Sequence, residues 1–199
     1  MTVTIDPTRN GTSFTDVSAW RTLPIQSGDY LSTATMSSAI STFTASLNTV
    51  YFAPVLVTKN MTFTGLAFST VVVTAASYKV AVYQTDSNQM PTGLPITGTS
   101  ATLGPFTTAA ATQQTSTFGS AITLPPGLYY IAILPDTSGT VGATSANNTT
   151  WMTGTADVSV NTGRRFSFAL AYASGLGDAT GIVVTYTTSG LLVAGLKVQ

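Results

Sequence analysis

Any chemistry in this 199-residue chain has to come from a short list of side chains, because the sequence holds no histidine, cysteine or glutamate. A nucleophile needs a positioned base, and imidazole and carboxylate groups are the usual ones. Ser–Lys chemistry of the S-x-x-K type needs a serine three residues before a lysine, and none stands there before Lys59, Lys79 or Lys197. The seven acidic residues are all aspartates, at 6, 16, 29, 86, 136, 157 and 178. Paired carboxylates cleave glycosides, but these lie far apart in sequence and mostly beside turn formers, so turn and loop roles are the stronger reading. Asp86, Asp136, Asp157 and Asp178 carry the right oxygen chemistry for Ca²⁺, yet no D-x-D-x-D spacing joins them. The sequence predicts a protein that is not an enzyme, with no catalytic residue, metal or cofactor.

Binding is more open. The stretch 135–164 is long, polar and rich in Gly, Ser, Thr and Asn, and loops of that length inside a domain are often functional. A ligand site there would use Trp151 as a stacking platform, Asn147 and Asn148 as hydrogen-bonding amides, and Arg164 and Arg165 for carboxylates. The alternative, which the composition favours, is a loop ordered by contacts with a neighbouring subunit. Trp20 has the same two readings, an anchor on its own core or a docking contact with a neighbour.

Charge narrows the partners. Seven basic and seven acidic residues give zero net charge, and charged residues make up 7% of the chain. No run of Lys or Arg exists to neutralise a row of phosphates, so nucleic acid is not expected. A surface of hydroxyls and amides repels its own copies weakly, which favours a homo-oligomer, with a trimer among the options. The longest apolar stretch, around Val71 to Ala76, falls far short of the roughly 20 residues that cross a bilayer. The first residues lack a basic start and a continuous apolar run, so no secretory signal is expected.

The elements that position these residues are strands. Tyr78, Val80 and Val82 alternate with Lys79, Ala81 and Tyr83, the period of a half-buried strand. Leu128 to Leu134 is apolar on both parities and is expected to be buried on both faces. Met61 and Phe63 point one way and Leu66 and Phe68 the other after Gly65, which predicts a bulge. Pro54 inside Thr49–Val57 favours an edge strand or bulge there. Further strands are expected at 115–122, 166–172, 182–187 and 191–198, and the only candidate for a helical turn is 35–44. Residues 98–114 are too small and polar for a central strand. The sequence predicts an N-terminal arm, 1–27, followed by an all-β domain over 28–199, an antiparallel β-sandwich or jelly roll.

One resemblance rests on the order of these features. Thr49-Val50-Tyr51-Phe52-Ala53-Pro54, a hydroxyl-rich strand from Met61 to Phe68, Tyr78 to Tyr83, Pro91-Thr92-Gly93 and Leu124-Pro125-Pro126-Gly127-Leu128-Tyr129-Tyr130 follow one another. From Tyr30 to Leu134 this order resembles the β-sandwich surface modules of tailed-bacteriophage virion proteins, of tail-fibre and decoration type. The resemblance implies a structural protein on the exterior of the virion, made in the host cytoplasm and decorating the capsid through contacts with other virion proteins and with copies of itself. It nominates no catalytic residue. Two alternatives stand beside it, a receptor-binding tail or fibre module that contacts host-surface glycans, and a free carbohydrate-binding module.

Overall fold

A computed structural model describes residues 25–32, 40–72, 76–106, 112–144, 165–187 and 192–199. Among them are thirteen strands and one 3₁₀ turn, Tyr172–Ser174. Valine, threonine and aromatic side chains suit a pleated, half-buried surface, which is why so much of the chain is extended. The strands form two antiparallel sheets packed as a β-sandwich.

The first sheet joins β1 (Tyr30–Ser32), β2 (Ile40–Ala45), β4 (Met61–Val72), β8 (Thr112–Leu124), β10 (Gly139–Thr144) and β13 (Ala194–Val198). Its centre is β4, which takes β8 along one edge and β13 followed by β10 along the other. The second sheet runs in the order β12 (Thr185–Thr187), β11 (Arg165–Ala169), β3 (Thr49–Val57), β9 (Gly127–Pro135) and β5 (Ala76–Thr85). The far edge of β5 pairs with both β6 (Pro91–Thr92) and β7 (Ala101–Phe106). These pairings establish the sandwich; they do not establish the jelly-roll connectivity that the sequence left open.

The core between the sheets is built by alternation. Tyr51, Ala53 and Val55 of β3, Tyr78, Val80 and Val82 of β5, and Ile131 and Ile133 of β9 face Phe63, Leu66 and Phe68 of β4 and Leu196 of β13. The parity change in β4 is real: its register with β8 slips between Phe63 and Gly65, so Phe63 and Leu66 both reach the core. At the upper end of this interface Gln114 donates through Nε2 to Thr70 Oγ1 and Thr112 Oγ1, each at 2.9 Å, which locks the β4–β8 register with a satisfied polar group.

Tyr78 departs from that economy. Its ring meets Phe68 edge-on at 5.0 Å, but its hydroxyl is buried without a hydrogen-bond partner. A buried donor left unmade costs about 1–3 kcal/mol. Tyr78→Phe is therefore expected to raise stability by about 1 kcal/mol, measured as a higher urea midpoint with an unchanged slope.

The second sheet carries a second core on its outer face. Val50, Phe52, Ala81, Tyr83, Tyr130, Ala132, Leu134 and Phe166 are buried there. Strand β9 is thus apolar on both faces for a reason: Tyr129 to Pro135 are all buried, one set of side chains under each core. Among the described residues, the segment Leu170 to Val184 covers this face. Its Ala179 and Val184 are buried, and Leu170, Tyr172, Leu176 and Ile182 are packed against the cluster.

Several sequence expectations change in detail. The strand expected over 166–172 ends at Ala169: Leu170 N–H still donates to Asn48 O at 2.9 Å in register with β3, and the chain then enters the 3₁₀ turn Tyr172–Ser174, where Tyr172 N–H donates to Asn48 Oδ1 at 2.8 Å. Residues 40–44, part of the candidate helical turn, form strand β2 instead: Phe43 and Ala45 face the core while Thr42 and Thr44 face out. Within the weak 98–114 stretch, Ala101–Phe106 is a true strand, β7, held at the sheet edge. Pro54 sits in an interior strand, yet β11 pairs only with Thr49 to Phe52. From Ala53 on, that side of β3 has no partner strand among the described residues, so a residue without an N–H donor is tolerated. Most of the arm lies outside the described residues. Its end is fastened, since Gly28 N–H donates to Val198 O at 2.9 Å and Val198 N–H to Asp29 O at 2.8 Å.

Candidate functional site

The polar side chains that sequence reasoning weighed for chemistry serve as fasteners. Each of the four described aspartates accepts a backbone N–H, three of them at turns: Asp29 from Gln26 at 2.8 Å, Asp86 from Asn88 at 2.9 Å and Met90 at 2.8 Å, and Asp178 from Thr180 at 2.8 Å, while Asp136 accepts from Ser77 of β5 at 2.7 Å. Bonds from the Thr180 side chain and backbone hold the Asp178 carboxyl below the usual carboxylate range. Among the described residues no group of three or more His, Cys, Asp or Glu side chains converges.

A recess lies where the covering segment crosses the second sheet. It is a shallow groove of about 400 Å³ lined by Lys79 and Val80 of β5, Ser100 to Thr102 at the start of β7, and Gly175 and Leu176 of the segment. Alternation along β5 puts Tyr78 in the inner core and Lys79 on the outer face. There its ammonium donates to Tyr172 O at 2.6 Å and lies 4.4 Å from the centroid of the Tyr172 ring. Gly175 follows the 3₁₀ turn at φ +73°, and a side chain added there would approach Lys79 Nζ at 3.6 Å. The positive φ favours glycine, and its lack of a side chain leaves the ammonium open towards the groove.

The rest of the segment is tied down in sequence order. Tyr172 N–H donates to Asn48 Oδ1 at 2.8 Å, Tyr83 Oη–H to Gly177 O at 2.9 Å, and Ala179 N–H to Gly93 O at 2.8 Å. Gly93 N–H in turn donates to Thr180 Oγ1 at 3.2 Å. Chemically the groove offers a cation and hydroxyls, a set that binds anions or polyols and holds no nucleophile–base pair.

No family model matches the chain, and no curated protein matches it in sequence. Function therefore has to be argued from the residues themselves.

Most of the ligand candidates from the sequence, Asn147, Asn148, Trp151 and Arg164, and the assembly candidate Trp20, lie outside the described residues. Arg165 opens β11 opposite Thr187. The stretch 145–164 connects β10 of the first sheet to β11 of the second. Sequence reasoning missed Lys79 and Tyr172 as a pair, because 93 residues separate them. The available signal was Lys79 itself, a charge on a strand face shared with Ala81 and Tyr83 and so bound to need a partner.

Burial, and secondly the charge of Asp178, push the Tyr83 phenol up to about 12, and burial with Asp136 does the same for Tyr78. Unfolded tyrosine ionises near 10, so above that pH the unfolded chain releases protons first. With both phenols neutral the fold keeps its full stability below about pH 10, and stability is lost as pH climbs to about 12. Alkaline titration followed by phenolate absorbance and circular dichroism should show unfolding and tyrosine ionisation coincide in that window.

Proposed function

We propose that this chain is a non-enzymatic structural protein on the exterior of a tailed-phage virion, decorating the capsid through subunit contacts. The observation that carries the reading is the use made of its polar groups. In a chain without imidazole, thiol or glutamate, three of the four described aspartates hold turns, Asp136 ties the end of β9 to β5, and Lys79 holds the covering segment. The two phrases on which the resemblance leans most serve the same end. Pro91-Thr92-Gly93 anchors the covering segment through Gly93, and Leu124-Pro125-Pro126-Gly127 joins β8 to β9 with Tyr129 Oη–H donating to Pro125 O at 3.0 Å. Such investment in rigidity suits a protein whose product is a surface.

The test is location. Antibody labelling of purified particles is expected to place the protein on the head; recovery only as a free bacterial protein would refute the reading. The second reading, a receptor-binding tail or fibre module, is favoured by the groove at Lys79, whose ammonium and hydroxyls can hydrogen-bond a glycan. Labelling at the tail tip, with adsorption lost in Trp151→Ala or Lys79→Met particles that assemble normally, would select it.

A further inference from the structure

The geometry points to strand β8 as a self-pairing edge that joins two copies of this chain into a continuous sheet. A sheet edge presents unpaired N–H and C=O groups, and proteins that stay monomeric blunt it with short strands, prolines, charges or bulges. Among the described strands every other edge except β2 is handled in that way. In the second sheet β12 has three residues, β6 has two and begins with Pro91, and β7 contains Pro105. In the first sheet β1 has three residues and β2 has six.

Strand β8 has thirteen residues and contains no charge and no proline. Among the described residues only β4 pairs with it, and no described strand lies along the other edge of Gln113 to Thr117. Its register with β4 is disturbed only beyond Thr117, so Gln113 to Thr117 form a straight stretch before the irregularity.

The occupant that fits this edge is the edge itself. An antiparallel two-fold pairing centred on Thr115 sets Thr115 against its own copy, Gln113 against Thr117 and Gln114 against Ser116. Gln113, Thr115 and Thr117 are exposed on the outer face, while Gln114 and Ser116 point inward, so parity is kept across the junction. Every outer-face pair is hydroxyl with hydroxyl or amide with hydroxyl. The sheet already uses that chemistry between neighbouring strands, where Thr62 Oγ1 and Thr123 Oγ1 share a hydrogen bond of 3.0 Å. With zero net charge, two copies meet without long-range repulsion. The six-stranded sheet would then run through the two-fold axis into its copy.

This inference deepens the assembly reading and rests on it, but its test needs only the purified chain. Sedimentation is expected to show a concentration-dependent dimer for the wild type. The double variants T115K/T117K and T115D/T117D each place like charges across the junction and are expected to dimerise about tenfold more weakly. Mixing the two variants should restore a heterodimer, a result that misfolding cannot imitate. Hydrogen exchange at Gln113 to Thr117 should slow as the wild type is concentrated. A wild type that stays monomeric throughout overturns the pairing, while the proposed role is still judged on particles. A wild type that oligomerises undiminished in both variants overturns the pairing alone.

Discussion

Replacing Phe52 by alanine is expected to cost about 4 kcal/mol, a large part of the stability of an ordinary domain. Phe52 is 1% exposed and sits at the middle of the outer core. Its ring meets Tyr83 and Tyr130 edge-on at 6.0 and 5.9 Å and stacks on Phe168 at 5.8 Å. Tyr130 in turn meets Phe166 at 5.9 Å. Removing the ring opens a cavity and ends three aromatic contacts worth about 0.5–1.5 kcal/mol each beyond their buried area. The covering segment then loses its floor as well as its neighbours. The variant should show both a lowered melting temperature and faster proteolysis within 170–184; a melting temperature within a few degrees of wild type would mean that the outer core is not structural.

Gly65→Ala is the second large effect, expected to destabilise by about 3 kcal/mol for the addition of one methyl group. A Cβ at Gly65 would overlap the Ser116 carbonyl oxygen, and the carbon of that carbonyl and Thr117 Cα would each lie 3.3 Å away. All three are backbone atoms of β8, so no side chain can swing aside. The residue marks the slip in the β4–β8 register, and β4 is the centre of its sheet. Relief would require β8 to move away from β4 near the Gln114–Thr70 bond. Equilibrium denaturation measures the cost, and a change below about 1 kcal/mol would show that β8 yields freely.

Much of this architecture was legible because its signals are local. The two-faced apolar run of Leu128 to Leu134 announced a strand between two cores, and the parity change around Gly65 announced the bulge. Aspartates beside turn formers announced turns, and of the four described ones Asp29, Asp86 and Asp178 hold turns while Asp136 reaches across to Ser77 of β5. The covering segment was not legible. Leu170, Ala171 and Tyr172 continue the spacing of Phe166 and Phe168, and the groups that hold them over the sheet, Asn48 and Lys79, are far away in sequence. Strand β2 hid for another reason: Ser41, Thr42, Thr44 and Ala45 differ too little in size and polarity for the alternation around Phe43 to stand out. The groove at Lys79 has no motif at all, since β5, β7 and the covering segment meet only in three dimensions.

Strand β13 completes the first sheet from the far end of the domain. It lies between β1, the earliest described strand, and β4, and it buries Leu196 in the inner core. During synthesis from the N terminus, then, Tyr30–Ser32 and one flank of β4 wait for Ala194–Val198 to emerge from the ribosome. Until that moment the nascent chain carries an uncapped apolar flank, so cold expression and chaperone supply, rather than the strength of the finished fold, would govern how much protein a cell recovers.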